Sequence, residues 1–334
     1  MQKIRLGGTE VSRIGLGCMA MSGGYGEQND AESIATIHAA LDAGITLIDT
    51  GDFYGMGHNE MLIGQALKDA RREQAFICVK FGALRGPDGG WSGYDLRPQA
   101  VKNFLAYTLR RLGTDHIDLY QPARVGHSDV PIEETIGAIA DLIKAGYVRH
   151  VGLSEASAST IRRAHAVHPI AALQIEYSLV SRGIEKDILP ALRELKIPLV
   201  AYGVLSRGLL ADRVLSDAPI PGAIRARMPR FQGDNLARNR ALVEALSKIA
   251  RDKGVNVAQL AIAWVLARGG DIIPLIGARR REQLDDGLNA LAVTLSGDDL
   301  ARIEQAVPLN SVAGTRYGVA LMKELDSETP GAPV

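Results

Sequence analysis

Three side chains set the chemical terms for this chain: Asp49, Tyr54 and Lys80. They sit in Ile48-Asp49-Thr50-Gly51-Asp52-Phe53-Tyr54-Gly55 and Val79-Lys80-Phe81-Gly82, each stretch reading as an apolar strand that runs into a polar loop. An acid, a phenol and an amine delivered in that way can tune one another's proton affinity, as acid–base chemistry requires. A phenol with a reference pKa near ~10 transfers protons poorly at neutral pH unless a nearby cation favours its anion. A buried amine in turn keeps its charge only beside a carboxylate. Each residue alone has a plainer use, since Asp caps helices and turns and Tyr fills cores. Their common order and placement favour one shared site.

Positioning such groups takes a rigid frame, and the chain spells one out. Apolar runs recur at Ile14–Cys18, Thr46–Ile48, Phe76–Val79, His116–Tyr120, Val148–Leu153, Ala172–Ile175, Pro198–Tyr202 and Asp271–Leu275. Most are β-branched or leucine-rich without strict alternation, the pattern of parallel strands covered on both faces. Between them, Ala31–Ala43, Ile132–Ala145, Ser157–Ala166, Ile188–Leu195 and Asn239–Lys253 carry the apolar period of a helix. Eight strands alternating with helices predict an α/β fold, a single closed (β/α)8 TIM barrel, with an open doubly wound sheet as the alternative. Lys3–Ile14, centred on Gly7-Gly8, reads as an N-terminal β-hairpin that plugs one mouth. Ser206–Asn235 is a long Pro/Gly/Arg-rich loop after strand 7, expected to act as a lid or cofactor clamp. One barrel domain is expected over residues 1–326, with 327–334 a disordered tail.

The barrel's C-terminal face is where chemistry gathers. Strand ends there supply Asp49 and Tyr54, Lys80, Ala123-Arg124, Ser154-Glu155, Gln174 and Glu176, and Tyr202. The 334 residues carry 38 basic and 38 acidic side chains, so charge gives no reason to expect nucleic acid or an anionic membrane as partner. No apolar run reaches the roughly 18 residues of a membrane span, and the N-terminus opens no apolar signal segment. With only Cys18 and Cys78, the expectation is a reduced, cytoplasmic protein, monomeric by default.

Taken together these segments resemble the aldo-keto reductase superfamily nearly end to end. The likeness is strongest to the bacterial and plant branch with Gly152-Leu153-Ser154-Glu155-Ala156-Ser157 after the fifth strand and Gln174-Ile175-Glu176-Tyr177-Ser178-Leu179 after the sixth. The resemblance implies NADPH-dependent reduction of an aldehyde or ketone, with Tyr54 as general acid. It makes Lys80 the residue that lowers the Tyr54 pKa and Asp49 the partner of Lys80. The family's fourth catalytic residue, a histidine, is matched here by Ala123 in Tyr120-Gln121-Pro122-Ala123-Arg124. Alanine neither donates nor relays a proton, and losing one preorganised donor removes on the order of 10²–10³ in turnover. Three readings stay open: Arg124 or His127 replaces the donor, the pocket is enlarged for a bulky or sugar-like substrate, or catalysis is reduced. Two other functions also stay open, NADP-linked oxidation of a sugar or polycyclic alcohol, and a weakly catalytic NADPH-binding regulatory subunit.

The dinucleotide site is expected away from the first strand, since Gly15-Leu16-Gly17-Cys18 lacks the third glycine of a Rossmann fingerprint. Ile276-Gly277-Ala278-Arg279-Arg280-Arg281 follows the eighth strand and opens a helix, where backbone N–H groups and the helix dipole favour phosphate. By resemblance, Arg279 meets the 2′-phosphate of NADPH/NADP+, with Gly277, Ala278, Gln283 and Asp286 toward the adenosine. Gly287 stands where the family often has asparagine. Tyr202 would stack on the nicotinamide, and Ser154 and Gln174 would hold its carboxamide. Gly203, Leu205, Ser206, Arg207 and Gly208 would line the pyrophosphate, and Met19 completes the cofactor set. Trp91, in the Gly-rich loop Gly86–Gly93, and Arg124 are expected pocket walls. His38, His116, His150, His165 and His168 read as structural, no metal site is expected, and Asn59 is expected to cap the second helix.

Overall fold

Apolar runs that bury both faces pair in parallel, and here the pairing closes on itself. The strands of the computed structural model, which describes residues 1–126, 128–215 and 224–328, are β1 (Lys3–Leu6), β2 (Thr9–Ser12), β3 (Gly15–Gly17), β4 (Leu47–Gly51), β5 (Phe76–Phe81) and β6 (Ala83–Arg85). They continue with β7 (Trp91–Tyr94), β8 (Ile117–Pro122), β9 (Val148–Ser154), β10 (Ile170–Glu176), β11 (Leu199–Tyr202) and β12 (Ile272–Gly277). The barrel runs β3-β4-β5-β8-β9-β10-β11-β12 and returns to β3, with every pair parallel. An open sheet is therefore ruled out. The closing seam pairs Leu275 with Gly15, Leu16 with Ile276 and Gly17 with Gly277.

The helices surround this sheet: α1 (Asp30–Asp42), α2 (His58–Ala66), α3 (Pro98–Leu112), α4 (Ile132–Lys144), α5 (Ala158–Val167) and α6 (Ile188–Glu194). Then come α7 (Gly233–Asp252), α8 (Val257–Ala267), α9 (Arg281–Asn289), α10 (Gly297–Ala306) and the short α11 (Val319–Lys323). α1, α4, α5 and α6 fall within a residue of the periodic segments, whereas α7 starts six positions before Asn239. The strands β4 and β5 extend past their apolar runs, because the hydrogen-bonded ladder carries Asp49 opposite Cys78 and Gly51 opposite Lys80. Asp49 and Lys80 thus stand on strands rather than in loops.

One apolar shell fills the barrel and another separates it from the helices. Inside, Leu6 and Val11 of the β1–β2 hairpin join Leu47, Phe76, Cys78, Leu119, Val200 and Ile273, so the hairpin does plug the N-terminal mouth. Its turn places Gly7 at φ +55 and Gly8 at φ +96, the left-handed pair that a two-residue hairpin loop needs. A Cβ on Gly7 would lie 2.4 Å from Nδ1 of His150, whose Nε2 bonds Thr9 Oγ1 at 2.9 Å. His150 is structural, as expected.

Three expectations change. Trp91 belongs to a second antiparallel ribbon, β6–β7, rather than a loop, with the Gly86–Gly90 turn carrying the chain back. The N-cap of α2 is Gly57; Asn59 lies inside the helix, donating to the Cys18 carbonyl at 2.9 Å and accepting from Thr50 Oγ1 at 2.7 Å. At the C-terminus Ser327 and Glu328 belong to a 3-10 turn fastened to the barrel, while 329–334 lie outside the described residues. Within the long loop after β11, Ser206–Gly208, Asp212–Leu215, Ile224–Arg227 and Pro229–Phe231 form 3-10 turns. Among the described residues no helix is long and apolar enough to cross a membrane.

Candidate active site

The C-terminal ends of β4, β5 and β10 converge on one ion pair. Lys80 Nζ lies 2.7 and 2.8 Å from the two carboxylate oxygens of Asp49, and both residues are 4% exposed. Gln174 Nε2 donates to Asp49 Oδ2 at 2.5 Å, fixing the carboxylate from a third strand. Burial disfavours the ammonium, but Asp49 and Tyr54 outweigh it and hold the Lys80 pKa above its ordinary value.

Tyr54 leaves β4 on a tight turn, in which Gly55 (φ 55) and Met56 (φ 54) take left-handed backbone. A Cβ on Gly55 would lie 2.9 Å from the Ser22 Cβ, so the turn requires glycine twice over. The turn brings the phenol ring under Lys80, with Nζ 5.1 Å from its centroid. The expectation of a lowered phenol pKa needs correction. Burial dominates and pushes Tyr54 up to about 12, while Lys80 and, more weakly, Arg124 pull against it. Tyr54 is thus a protonated donor across the neutral range.

Aromatic rings form the wall outside this triad. Phe53 meets Tyr54 edge-on at 4.9 Å and Trp91 at 5.6 Å, and the Arg85 guanidinium covers the far face of Trp91 at 4.2 Å. Trp91 remains 51% exposed. On β8 the hydroxyl of Tyr120 reaches outward to the Val101 carbonyl of α3 at 3.2 Å, so Gln121 and Ala123 alternate inward. Ala123 is 1% exposed, and its N–H donates to the Phe81 carbonyl at 2.8 Å. Gln121, fully buried, has neither amide atom hydrogen-bonded, and its Oε1 lies 3.0 Å from where a Cβ on Gly152 would stand. Sequence reasoning passed over Gln121, although its place two residues before Ala123 puts it on the same face. His127 lies outside the described residues.

A second network was not foreseen. Glu155, at φ 54, points under the rim, where Arg316 grips both its oxygens at 2.9 and 2.5 Å. Tyr202 and Ser327 donate to the same carboxylate at 2.6 and 2.7 Å, and the Tyr202 and Tyr317 hydroxyls lie 2.8 Å apart. Burial raises the Glu155 carboxyl, but Arg316 and its hydrogen bonds more than reverse this, holding it well below the usual carboxylate range. Arg316 and Tyr317 were missed because nothing near them in sequence bears the site's chemistry. The signal that could have found them is Glu155 itself, an acid at a strand end that needs a cation once buried.

The expected cofactor residues divide by what they touch. Ser154 Oγ is buried and lacks a partner among the described residues, and Gln174, its neighbour in the β9–β10 register, donates to Asp49. Met19 is 38% exposed at the end of β3, and at Gly277 a side chain would enter open space. Gly203 packs on Glu176, while Leu205 and Gly208 close a turn through a 2.9 Å backbone bond. The Ser206 side chain is held by Arg230 at 3.1 Å, and Arg207 pairs with Glu176 at 3.0 Å and covers Tyr317 at 4.4 Å. At α9, Arg281 is tied to Glu32 of α1, whose carboxylate also accepts the Arg281 N–H at 3.0 Å. Arg279 reaches the Glu27 carbonyl at 2.6 Å; burial lowers its pKa, and Arg280 and Arg213 add to the effect by repulsion. A surplus of guanidinium charge at this corner fits a phosphate. Ala278 is fully buried, Gln283 Oε1 accepts from the Arg279 N–H, and Asp286 accepts from Asn256 at 2.7 Å and Gln259 at 2.8 Å. Gly287 packs on the Ile276 side chain, which would lie 2.9 Å from a Cβ at this position and would have to shift for a larger residue. Cys18 and Cys78 are buried free thiols, and no cluster among the described residues could hold a metal.

A (β/α)8 barrel whose rim carries an Asp–Lys pair over a tyrosine defines a class of oxidoreductase. Residues 13–308 match the aldo/keto reductase family model, and the chain belongs to that family. It is 45% identical over 323 residues to a probable aldo-keto reductase of Glycine max, a match covering 95% of this chain and 92% of that protein. A glycerol dehydrogenase from Gluconobacter oxydans shares the structure with a TM-score of 0.83 at 30% identity, covering 99% of this chain and 98% of that one. An aldo-keto reductase from Klebsiella pneumoniae, solved in complex with NADPH, gives a TM-score of 0.72 at 27% identity, covering 92% and 96% of the two chains.

Proposed function

We propose that this protein is an NADPH-dependent reductase of aldehydes or ketones in which Tyr54 protonates the carbonyl oxygen. The observation that carries this is the Asp49–Lys80 pair, 2.7 Å apart and set 5.1 Å over the Tyr54 ring. When bound, the reduced nicotinamide supplies the hydride. Ser154, Gln174 and Tyr202 hold and face its ring, and Arg279 and Arg280 take the 2′-phosphate, which favours NADPH over NADH. Lys80 keeps its charge through Asp49 and offers it to the phenolate left on Tyr54 once the proton has moved.

The likeness to a glycerol dehydrogenase favours a second reading, the same steps run backward on an alcohol. In that direction Tyr54 takes up the alcohol proton as base, so the same residues serve both directions.

The test is NADPH consumption with a panel of aldehydes and ketones, together with dissociation constants for NADPH and NADH. Tyr54→Phe should abolish turnover while NADPH binding persists, and NADPH should bind at least tenfold more tightly than NADH. Equal turnover by the phenylalanine variant would remove Tyr54 from the chemistry.

A further inference from the structure

The cations around the mouth are nearly all matched to carboxylates. Arg316 is paired with Glu155, Arg207 and Arg230 with Glu176, Lys80 with Asp49, and Arg111 with Glu60. Arg124 is different. Among the described residues its one hydrogen bond runs from Nη1 to the carbonyl of its own neighbour, Ala123, at 2.6 Å. Among the described residues it has no carboxylate within 4.0 Å. The acids nearby are already engaged: Glu155 by Arg316, Tyr202 and Ser327, and Glu324 by the Tyr94 hydroxyl at 3.1 Å.

Arg124 nevertheless belongs to the reaction centre. It follows Ala123 at the end of β8; its charge acts on Tyr54, Tyr94 and Tyr202, and Glu155 acts on it in turn. Among the described residues no carboxylate is hydrogen-bonded to this guanidinium, although Glu155 acts on it through space, so its remaining N–H groups are open to a ligand. Its planar fork matches a carboxylate and grips it with paired hydrogen bonds. Ala123 puts only a methyl group beside it, and the rings of Phe53 and Trp91 wall the same rim. One unpaired cation matches a monoanion better than a phosphate dianion.

We propose that Arg124 anchors a carboxylate on the substrate, so that the preferred substrates are oxo-acids, aldehydes or ketones that also carry a carboxylate group. The missing histidine side chain is what gives such a substrate access to the guanidinium. This inference rests on the reductase reading and names the substrate class for that same site.

The experiment compares carboxybenzaldehydes with the neutral nitrobenzaldehydes of the same substitution pattern, in the wild type, Arg124→Met and Arg124→Lys. The ratio of kcat/KM for acid over neutral substrate should fall about tenfold or more in the methionine variant and recover in part with lysine. A ratio that the methionine substitution leaves unchanged overturns the proposal. A second measurement is calorimetric binding of benzoate to the NADP+-loaded protein, with retained NADP+ binding as the check on folding. Benzoate affinity should drop at least tenfold in Arg124→Met, and equal affinity in the two proteins again overturns it. If no aldehyde is turned over, the reductase reading fails, and the benzoate comparison alone decides the role of Arg124.

Discussion

At the scale of single residues the site is governed by competition between burial and charge. Lys80 favours the Tyr54 phenolate, yet removal from water favours the phenol more strongly, and the pKa settles at about 12. The acid form is therefore present at every working pH. Reduction should show no decline from Tyr54 ionisation up to pH ~10, whereas oxidation of the product alcohol should climb about tenfold per pH unit in the same range. Parallel pH profiles of kcat/KM in the two directions check this, and a reductive limb falling near pH ~8 would contradict it. Ala123→His addresses the fourth position directly. If a missing donor limits turnover of a neutral aldehyde such as 4-nitrobenzaldehyde, the histidine should raise kcat by about tenfold or more. A gain of less than a few-fold would assign the carbonyl contact to groups already present. Asp49, Tyr54, Lys80 and Ala123 were legible in sequence because each sits at a strand terminus within a recognisable motif. The direction of the Tyr54 shift was not, because desolvation depends on how the whole rim packs.

At the scale of elements, the segment from Val312 to Glu328 is a strap drawn across the barrel mouth and fastened through Arg316 to Glu155. Both ends of this contact are nearly buried, at 7% and 0% exposure. Arg316→Met would strand the Glu155 carboxylate without its cation, a loss of about 3–5 kcal/mol. Thermal unfolding should shift accordingly, and limited proteolysis should cut the strap sooner than in the wild type. An unchanged cleavage pattern would show that the strap is held by other contacts. Periodicity identified the helices well, since α1, α4, α5 and α6 each bury a mainly apolar face. The β6–β7 ribbon and the strap escaped it. Their positions come from ion pairs and ring contacts between distant residues, which leave no local period in the sequence.

The molecule as a whole is a barrel stoppered at one end and worked at the other. The stopper depends on Gly7, where left-handed backbone coincides with close approach to His150. Gly7→Ala should lower stability by about 1–3 kcal/mol, through backbone strain and displacement of the His150 ring. The readout is urea unfolding, with Tyr54-dependent turnover per folded molecule preserved because the site lies at the opposite mouth. The closed barrel was legible from eight apolar runs separated by helices. The register of its seam was not, since no sequence pattern says which residue of the first strand must face which residue of the last.

That seam bears on how the protein is made. Gly15–Gly17 has its second neighbour only once Ile272–Gly277 exists, and Arg13 reinforces the join by donating to the Leu266 carbonyl, 253 residues away. On the ribosome the nascent chain holds two raw sheet edges for almost its entire synthesis, and neither can be covered by what has already emerged. At roughly 5–20 residues per second that interval lasts tens of seconds. The chain's most vulnerable period thus comes before the finished barrel exists, and the last strand to be translated ends it.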